Sequence, residues 1–236
     1  MPDRDRPLYA VLIDADNIPS KFAGAILKEI TALGEPALRR VYGDWSSGRL
    51  NSWSKVVRDL GLVAHQESAN TVGKNASDIG LVIDAMDILH TGRFDGFVLV
   101  SSDSDFTALA NRVREQGMDV IDIGEAKAPE SLRNVCNRFI LIENIVDEPV
   151  AQGAATKAGG KVEPVEAIPL ILKAMEKIDQ DDEWYALGQL GKFVTADNPD
   201  FDTRTYGKRK LSDLVEVLKR FETKKVGNQL MIRRVD

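Results

Sequence analysis

Leu8-Tyr9-Ala10-Val11-Leu12-Ile13 runs straight into Asp14-Ala15-Asp16-Asn17, and this junction decides the fold. Six consecutive apolar residues with no polar alternation describe a strand buried on both faces, which requires a parallel sheet covered by helices. A second such run, Phe97-Val98-Leu99-Val100, ends in Ser101-Ser102-Asp103-Ser104-Asp105. Outward from these two strands the pattern alternates. Helices are predicted at 20–33 (Ser20 as cap, Gly34 as stop), 50–60, 76–89 and 106–115, with strands at 37–42, 62–66 and 119–123. A last helix–strand pair closes the pattern at residue 142. Strands and helices joined by short loops specify an α/β fold, a parallel sheet flanked by helices.

The texture changes after residue 146. Pro149 to Gly160 has small residues and no period, so 147–163 reads as a flexible linker between a domain at 1–146 and a second at 164–236. The second domain shows helical spacing at 165–178, 187–194 and 206–221, then two short strands around Gly227-Asn228. Three helices and a terminal hairpin make a small winged-helix-like unit.

Composition narrows the chemistry. The 236 residues have a net charge of −6, unevenly distributed. Residues 1–160 carry 17 Lys and Arg against 23 Asp and Glu, while residues 161–236 carry 14 of each. An acidic domain that handles a polyanion needs metal ions or a partner module. A single cysteine, Cys136, excludes an internal disulfide and a multi-cysteine zinc site, and reads as a buried small hydrophobe. His65 and His90 lack acidic or cysteine partners at ligand spacing and read as structural. No hydrophobic leader and no apolar run near the ~20 residues of a membrane span is present. The expectation is a soluble, cytoplasmic protein that does not engage membranes.

Ligands of open α/β sheets bind beyond the carboxyl ends of the strands, and two buried strands here end in aspartate pairs, Asp14/Asp16 and Asp103/Asp105. Single strand-end aspartates commonly cap the next helix. Two pairs together point instead to a hard cation that offsets the repulsion among them. Mg²⁺ or Mn²⁺, as one ion or two about 4 Å apart, would suit phosphodiester hydrolysis. In the helix at 76–89, Ile79, Val82, Ile83 and Met86 read as the buried stripe. Asp78, in its first turn, can face the strand ends; Asp84 and Asp87 fall elsewhere. Lys74 is a candidate phosphate contact.

Three ordered motifs, Leu12–Pro19 (LIDADNIP), Lys74–Asp87 (KNASDIGLVIDAMD) and Phe97–Gly117 (FVLVSSDSDFTALANRVREQG), make residues 8–143 resemble the NYN family of PIN-like nuclease domains, of the LabA and limkain type. The resemblance implies a Rossmann-like PIN fold and metal-dependent RNA cleavage. It implies metal-binding carboxylates at Asp14, Asp78, Asp103 and Asp105, with Asn17 and Ser102 orienting them and Asp16 and Asp122 as further candidates. Residues 164–235 resemble the OST-HTH (LOTUS) module through Ala167–Met175, Trp184–Gly191, Asp197–Phe201 and Tyr206–Leu214, which implies RNA binding or, in some members, a protein partner.

Lys208-Arg209-Lys210, at the start of the third predicted helix, and the hairpin pairs Lys224-Lys225 and Arg233-Arg234 suit phosphate contact. Trp184 and Tyr185 read as core or lip residues rather than base-stacking platforms. The leading expectation is a divalent-metal endoribonuclease with a C-terminal RNA-binding module, in RNA processing or turnover. The alternative is an NYN–LOTUS adaptor that binds RNA or protein and turns over poorly. A phosphatase with an aspartyl nucleophile at Asp14 is disfavoured, because Asn17-Ile18-Pro19 stands where such enzymes place Thr or Ser. RNA substrate, preferred metal and oligomeric state stay open at this point.

Overall fold

The computed structural model describes residues 5–66, 76–146, 162–180 and 182–235, and the chain forms two compact units, 1–150 and 151–236. In the first, six strands of the described residues pair in parallel: β1 (Leu8–Asp14), β2 (Glu35–Gly43), β3 (Val63–Gln66), β4 (Gly96–Val100), β5 (Asp119–Gly124) and β6 (Arg138–Leu141). Their order is β3-β2-β1-β4-β5-β6. The chain builds outward from β1 to one edge and then crosses to β4, so the strand order reverses between β1 and β4.

The uninterrupted apolar run of β1 is explained by its two faces. Tyr9, Val11 and Ile13 pack under α1 (Ala23–Leu33), α2 (Asn51–Asp59) and α6 (Ile142–Ile145). Ala10 and Leu12 pack under α3 (Ala76–His90), α4 (Thr107–Glu115) and α5 (Glu130–Val135). Trp53 of α2 is fully buried and its indole N–H donates to the Ile18 carbonyl at 3.0 Å, tying the helix to the loop after β1. Ser20 does not cap α1. It opens a 3-10 turn, Ser20–Phe22, with Pro19 at the cap position.

The buried stripe of α3 is Leu81, Ala85, Ile88 and Leu89, while Ile79 and Ile83 are exposed. Of the expected stripe, Val82 and Met86 pack at the edge of this core, so the buried face is rotated by about one position, or roughly 100°, from the expected one. Asp78 falls one turn ahead of Leu81 on the buried side and so points at the strand ends. Asp84 turns inward as well, accepting hydrogen bonds from Arg40 and from the Tyr42 hydroxyl.

The second unit packs α7 (Ile168–Lys177), α8 (Leu187–Asp197) and α9 (Leu211–Glu216) against an antiparallel sheet of β7 (Tyr185–Ala186), β8 (Phe221–Val226) and β9 (Gln229–Arg234), ordered β7-β9-β8. Ile171, Leu190, Val194, Leu214 and Ile232 form the centre of its core. Gly227, at φ 58°, supplies the left-handed residue that the tight β8–β9 turn requires. The expected helix at 206–221 is shorter. A 3-10 turn, Thr203–Tyr206, ends at left-handed Gly207, and the chain has already entered β8 at Phe221. Lys208-Arg209-Lys210 therefore precede α9 rather than opening it, with Lys210 at its cap position. The N–H of Val162 donates to the Thr205 carbonyl at 3.0 Å, so residue 162 already belongs to this unit. The rest of the expected linker, 147–161, lies outside the described residues.

Candidate metal centre

The crevice at the β1/β4 reversal is where a ligand site of an open α/β sheet is expected, and the acids converge there. Asp78, Asp103 and Asp105 each place a carboxylate oxygen so that all three atoms lie within 4.8 Å of one another. Asp78 comes from the first turn of α3; Asp103 and Asp105 come from the loop after β4. Asp103 also serves as a local cap, its carboxylate accepting the Asp105 N–H at 3.0 Å. The capping role and the cluster coexist, because one accepted bond leaves a carboxylate further lone pairs.

Asp14 is 1% exposed. Its Oδ1 accepts the N–H groups of Asp16 and Asn17 at 3.1 and 3.2 Å. Its Oδ2 accepts the Asn17 side-chain amide at 2.6 Å and the Ser101 hydroxyl at 2.8 Å. Four donors fill the roughly four lone-pair directions of a carboxylate. Burial raises the Asp14 pKa; the Asn17 and Ser101 bonds oppose that rise, and Asp16 adds to it. Asp14 therefore stands outside the triplet, as a buried acid held rigidly beside it. Asp16 is exposed and donates its own N–H to Asp14.

Asp78 records the electrostatics of the group. Desolvation, followed by the charges of Asp14, Asp103, Asp105 and Asp16, pushes its carboxyl up to about 6 from the usual 3.8. Holding these carboxylates ionised together is costly, and a divalent cation is what offsets such a cost. An all-oxygen set of carboxylates fits the preferences of Mg²⁺ and Mn²⁺. The residues present fit the ion that the sequence led us to expect.

Two expected site residues are placed differently. Ser102 does not touch the acids: its hydroxyl accepts the Glu125 N–H at 2.8 Å and fixes the loop after β5. The hydroxyl on the acids is that of Ser101, which donates to Asp14 and accepts the Asp103 N–H at 3.2 Å. The register contains this answer. Leu12 lies opposite Leu99 and Ile13 opposite Val100, so the next pair is Asp14 with Ser101. Asp122 lies opposite Leu99, short of the strand ends, fully buried, with no hydrogen bond made to either carboxylate oxygen by the described residues. Burial pushes it well above the usual carboxylate range, with only weak relief from the nearby Ser101 and Ile123 N–H groups. It is not among the three acids whose oxygens converge. The Asn17 side-chain amide donates to Asp14, and Lys74 lies outside the described residues.

The backbone of this corner is close-packed. A Cβ on Gly124 would come within 2.5 Å of the Ser101 carbonyl, so only glycine lets β5 end against the Ser101 loop.

Comparison with known families agrees with this architecture. The model of the NYN domain matches residues 9–143. The chain belongs to the NYN family. An OST-HTH/LOTUS domain follows it, matched over residues 163–232. Among solved structures, a protein of unknown function, VPA0982 from Vibrio parahaemolyticus, is similar at 20% identity and a TM-score of 0.51, over 60% of this chain and 96% of its own. That likeness concerns the fold alone. An uncharacterized protein from gene locus NE0665 of Nitrosomonas europaea shares 32% identity over 39% of this chain and 88% of its own, at a TM-score of 0.27. No curated protein matches the chain.

Proposed function

We propose that this NYN-family chain is a divalent-metal-dependent endoribonuclease whose OST-HTH/LOTUS unit retains the RNA being cut. The two domains together support a nuclease and RNA-binding role. The observation that carries the finer reading is the convergence of Asp78, Asp103 and Asp105 at the strand reversal, with Asp78 pushed up to about 6 by burial and by its acidic neighbours. These three carboxylates would hold Mg²⁺ or Mn²⁺. When bound, the ion would supply charge neutralisation at the attacked phosphoryl group and a water of lowered pKa. Asp14 stands behind the triplet, and Asn17 and Ser101 hold its carboxyl group in one orientation. Lys208, Arg209 and Lys210, at the approach to α9, contact RNA phosphates. In this reading residues 1–146 cut, 164–236 retain, and 147–163 connect them.

One observation favours the adaptor reading. All four bonds of Asp14 are satisfied without an ion, so a site that binds metal weakly and turns over poorly is compatible with the same geometry. Incubating the protein with mixed RNA and DNA oligonucleotides in Mn²⁺, Mg²⁺ or EDTA separates the two. Internal RNA cuts that require the metal support the enzyme; RNA retention with no cuts in either metal supports the adaptor.

A further inference from the structure

The three-stranded sheet of the C-terminal unit has one face in the core and one turned outward. Ile232 and Phe221 are buried, and Tyr185 and Leu230 pack beside them. Alternation along the strands assigns the other face to Arg233 and Met231 of β9 and to Glu222 and Lys224 of β8, which pair across as Glu222 with Arg233 and Lys224 with Met231. Tyr185 lies opposite Ile232, so Trp184 falls beside Arg233 on the outward face.

Trp184 is half-exposed, and two cations sit at its ring. The Lys224 ammonium is 3.8 Å and the Arg233 guanidinium carbon 5.0 Å from a ring centroid. The two cations are held differently. Arg233 bonds Glu222 at 2.8 Å and approaches Glu183 at 3.5 Å, so carboxylates already engage it. Lys224 is exposed and has no carboxylate partner among the described residues. The backbone of Trp184 is also engaged, its N–H donating to Asp182 at 2.9 Å and its carbonyl accepting the Gln180 side-chain amide at 3.1 Å. An indole on an outward sheet face with two cations beside it is the kind of platform on which unpaired bases stack.

We propose that the outward face of this sheet binds single-stranded RNA, with a base stacked on Trp184 and Lys224 moved from the ring to the adjacent phosphate. The exchange is favourable. Base stacking on an aromatic ring is stronger than an exposed ammonium over the same ring, and the displaced lysine gains a phosphate. Single strands are required because a duplex keeps its bases stacked on each other. The proposal uses residues other than Lys208-Arg209-Lys210, and it rests on the RNA-binding reading of this unit.

The test uses the full chain in EDTA with a fluorescein-labelled, unstructured RNA of about ten nucleotides. Fluorescence anisotropy measures affinity at several salt concentrations, and tryptophan emission is followed in parallel. Trp184→Ala should weaken binding roughly tenfold or more. The wild type should show RNA-induced quenching of tryptophan emission, and Trp184→Phe, which keeps a ring for folding and stacking, should retain most affinity but lose that quenching. Lys224→Ala should reduce the slope of log affinity against log salt by about 0.7. Quenching that persists in Trp184→Phe, with Lys224→Ala leaving affinity and slope unchanged, would overturn the proposal, even if Trp184→Ala fails to fold. Binding lost on replacing Lys208, Arg209 and Lys210 by Ala, yet kept in both Trp184 variants, would place the RNA elsewhere and leave the RNA reading intact. A wild type that binds no RNA would remove both.

Discussion

Replacing Asp78 by asparagine should make the metal-free protein more resistant to heat at neutral pH. The carboxyl sits half-buried among Asp14, Asp16, Asp103 and Asp105, and its rise from 3.8 to about 6 corresponds to roughly 3 kcal/mol of desolvation and repulsion. Solvent screening at a partly exposed group leaves about half of that, near 1.5 kcal/mol. The sign follows from protonation. Below pH 3.8 the carboxyl is neutral in folded and unfolded chains alike, and the variant gains nothing. As pH rises through about 6 the folded protein must give up its proton against its neighbours and loses stability. Asparagine, nearly isosteric, never pays that penalty. For a unit of this size the gain amounts to a Tm about 3–6 °C higher in EDTA at pH 7.5, shrinking toward zero near pH 4. Mn²⁺ should reverse the order, because an ion bound to the folded state at a hundred times its Kd adds about 2.7 kcal/mol, and the variant has lost a ligand. Calorimetry of both proteins at the two pH values, with EDTA or Mn²⁺, checks each part. A variant less stable than wild type at pH 7.5 in EDTA, or an equal Mn²⁺ gain in both proteins, would refute the reasoning.

Ser101→Ala removes the hydroxyl shared by Asp14 and Asp103 and should weaken Mn²⁺ binding about tenfold, whereas Ser102→Ala should leave it unchanged; isothermal titration compares the two. Gly124→Ala forces a methyl against the Ser101 carbonyl and should cost about 1–3 kcal/mol in chemical denaturation, with Mn²⁺ affinity falling alongside. Replacing Lys208, Arg209 and Lys210 by Ala should flatten the salt slope of RNA binding by about two units, since each phosphate contact on a single strand contributes roughly 0.7; anisotropy at several salt concentrations reads it.

Much of the fold was legible because β1 and β4 are buried on both faces, which leaves a continuous apolar run that no amphipathic helix or edge strand imitates. Their abrupt acidic ends marked where carboxylates gather, and Asp78 lies with Asp103 and Asp105 there. The face of α3 was misread for a physical reason. Apolar residues lie on several sides of the helix, so Ile79 and Ile83 joined Val82 and Met86 in one stripe although they are exposed, whereas Asp84 is turned inward by Arg40 and Tyr42. The helix ahead of β8 was read too long because Leu211, Leu214, Val215 and Leu218 keep helical spacing up to the strand, and only Gly207 marks the interruption. Ser101 was missed in favour of Ser102 because adjacent serines are equivalent until strand register assigns one of them to the Asp14 side. The saturation of Asp14 by four donors depends on loop geometry that residue types do not encode.

Cleavage rate measured against Mn²⁺ concentration for the wild type and Asp103→Asn tests the central claim most directly. Asp103 lies in the triplet and, unlike Asp14, is half-exposed, so its replacement changes the site with little demand on the core. The account predicts internal RNA cuts that rise with Mn²⁺ to a plateau and vanish in EDTA. For Asp103→Asn it predicts loss of cutting, or a plateau reached only at Mn²⁺ concentrations roughly 10–100-fold higher. Cutting that persists in EDTA, or an Asp103→Asn curve that overlays the wild type, would contradict it.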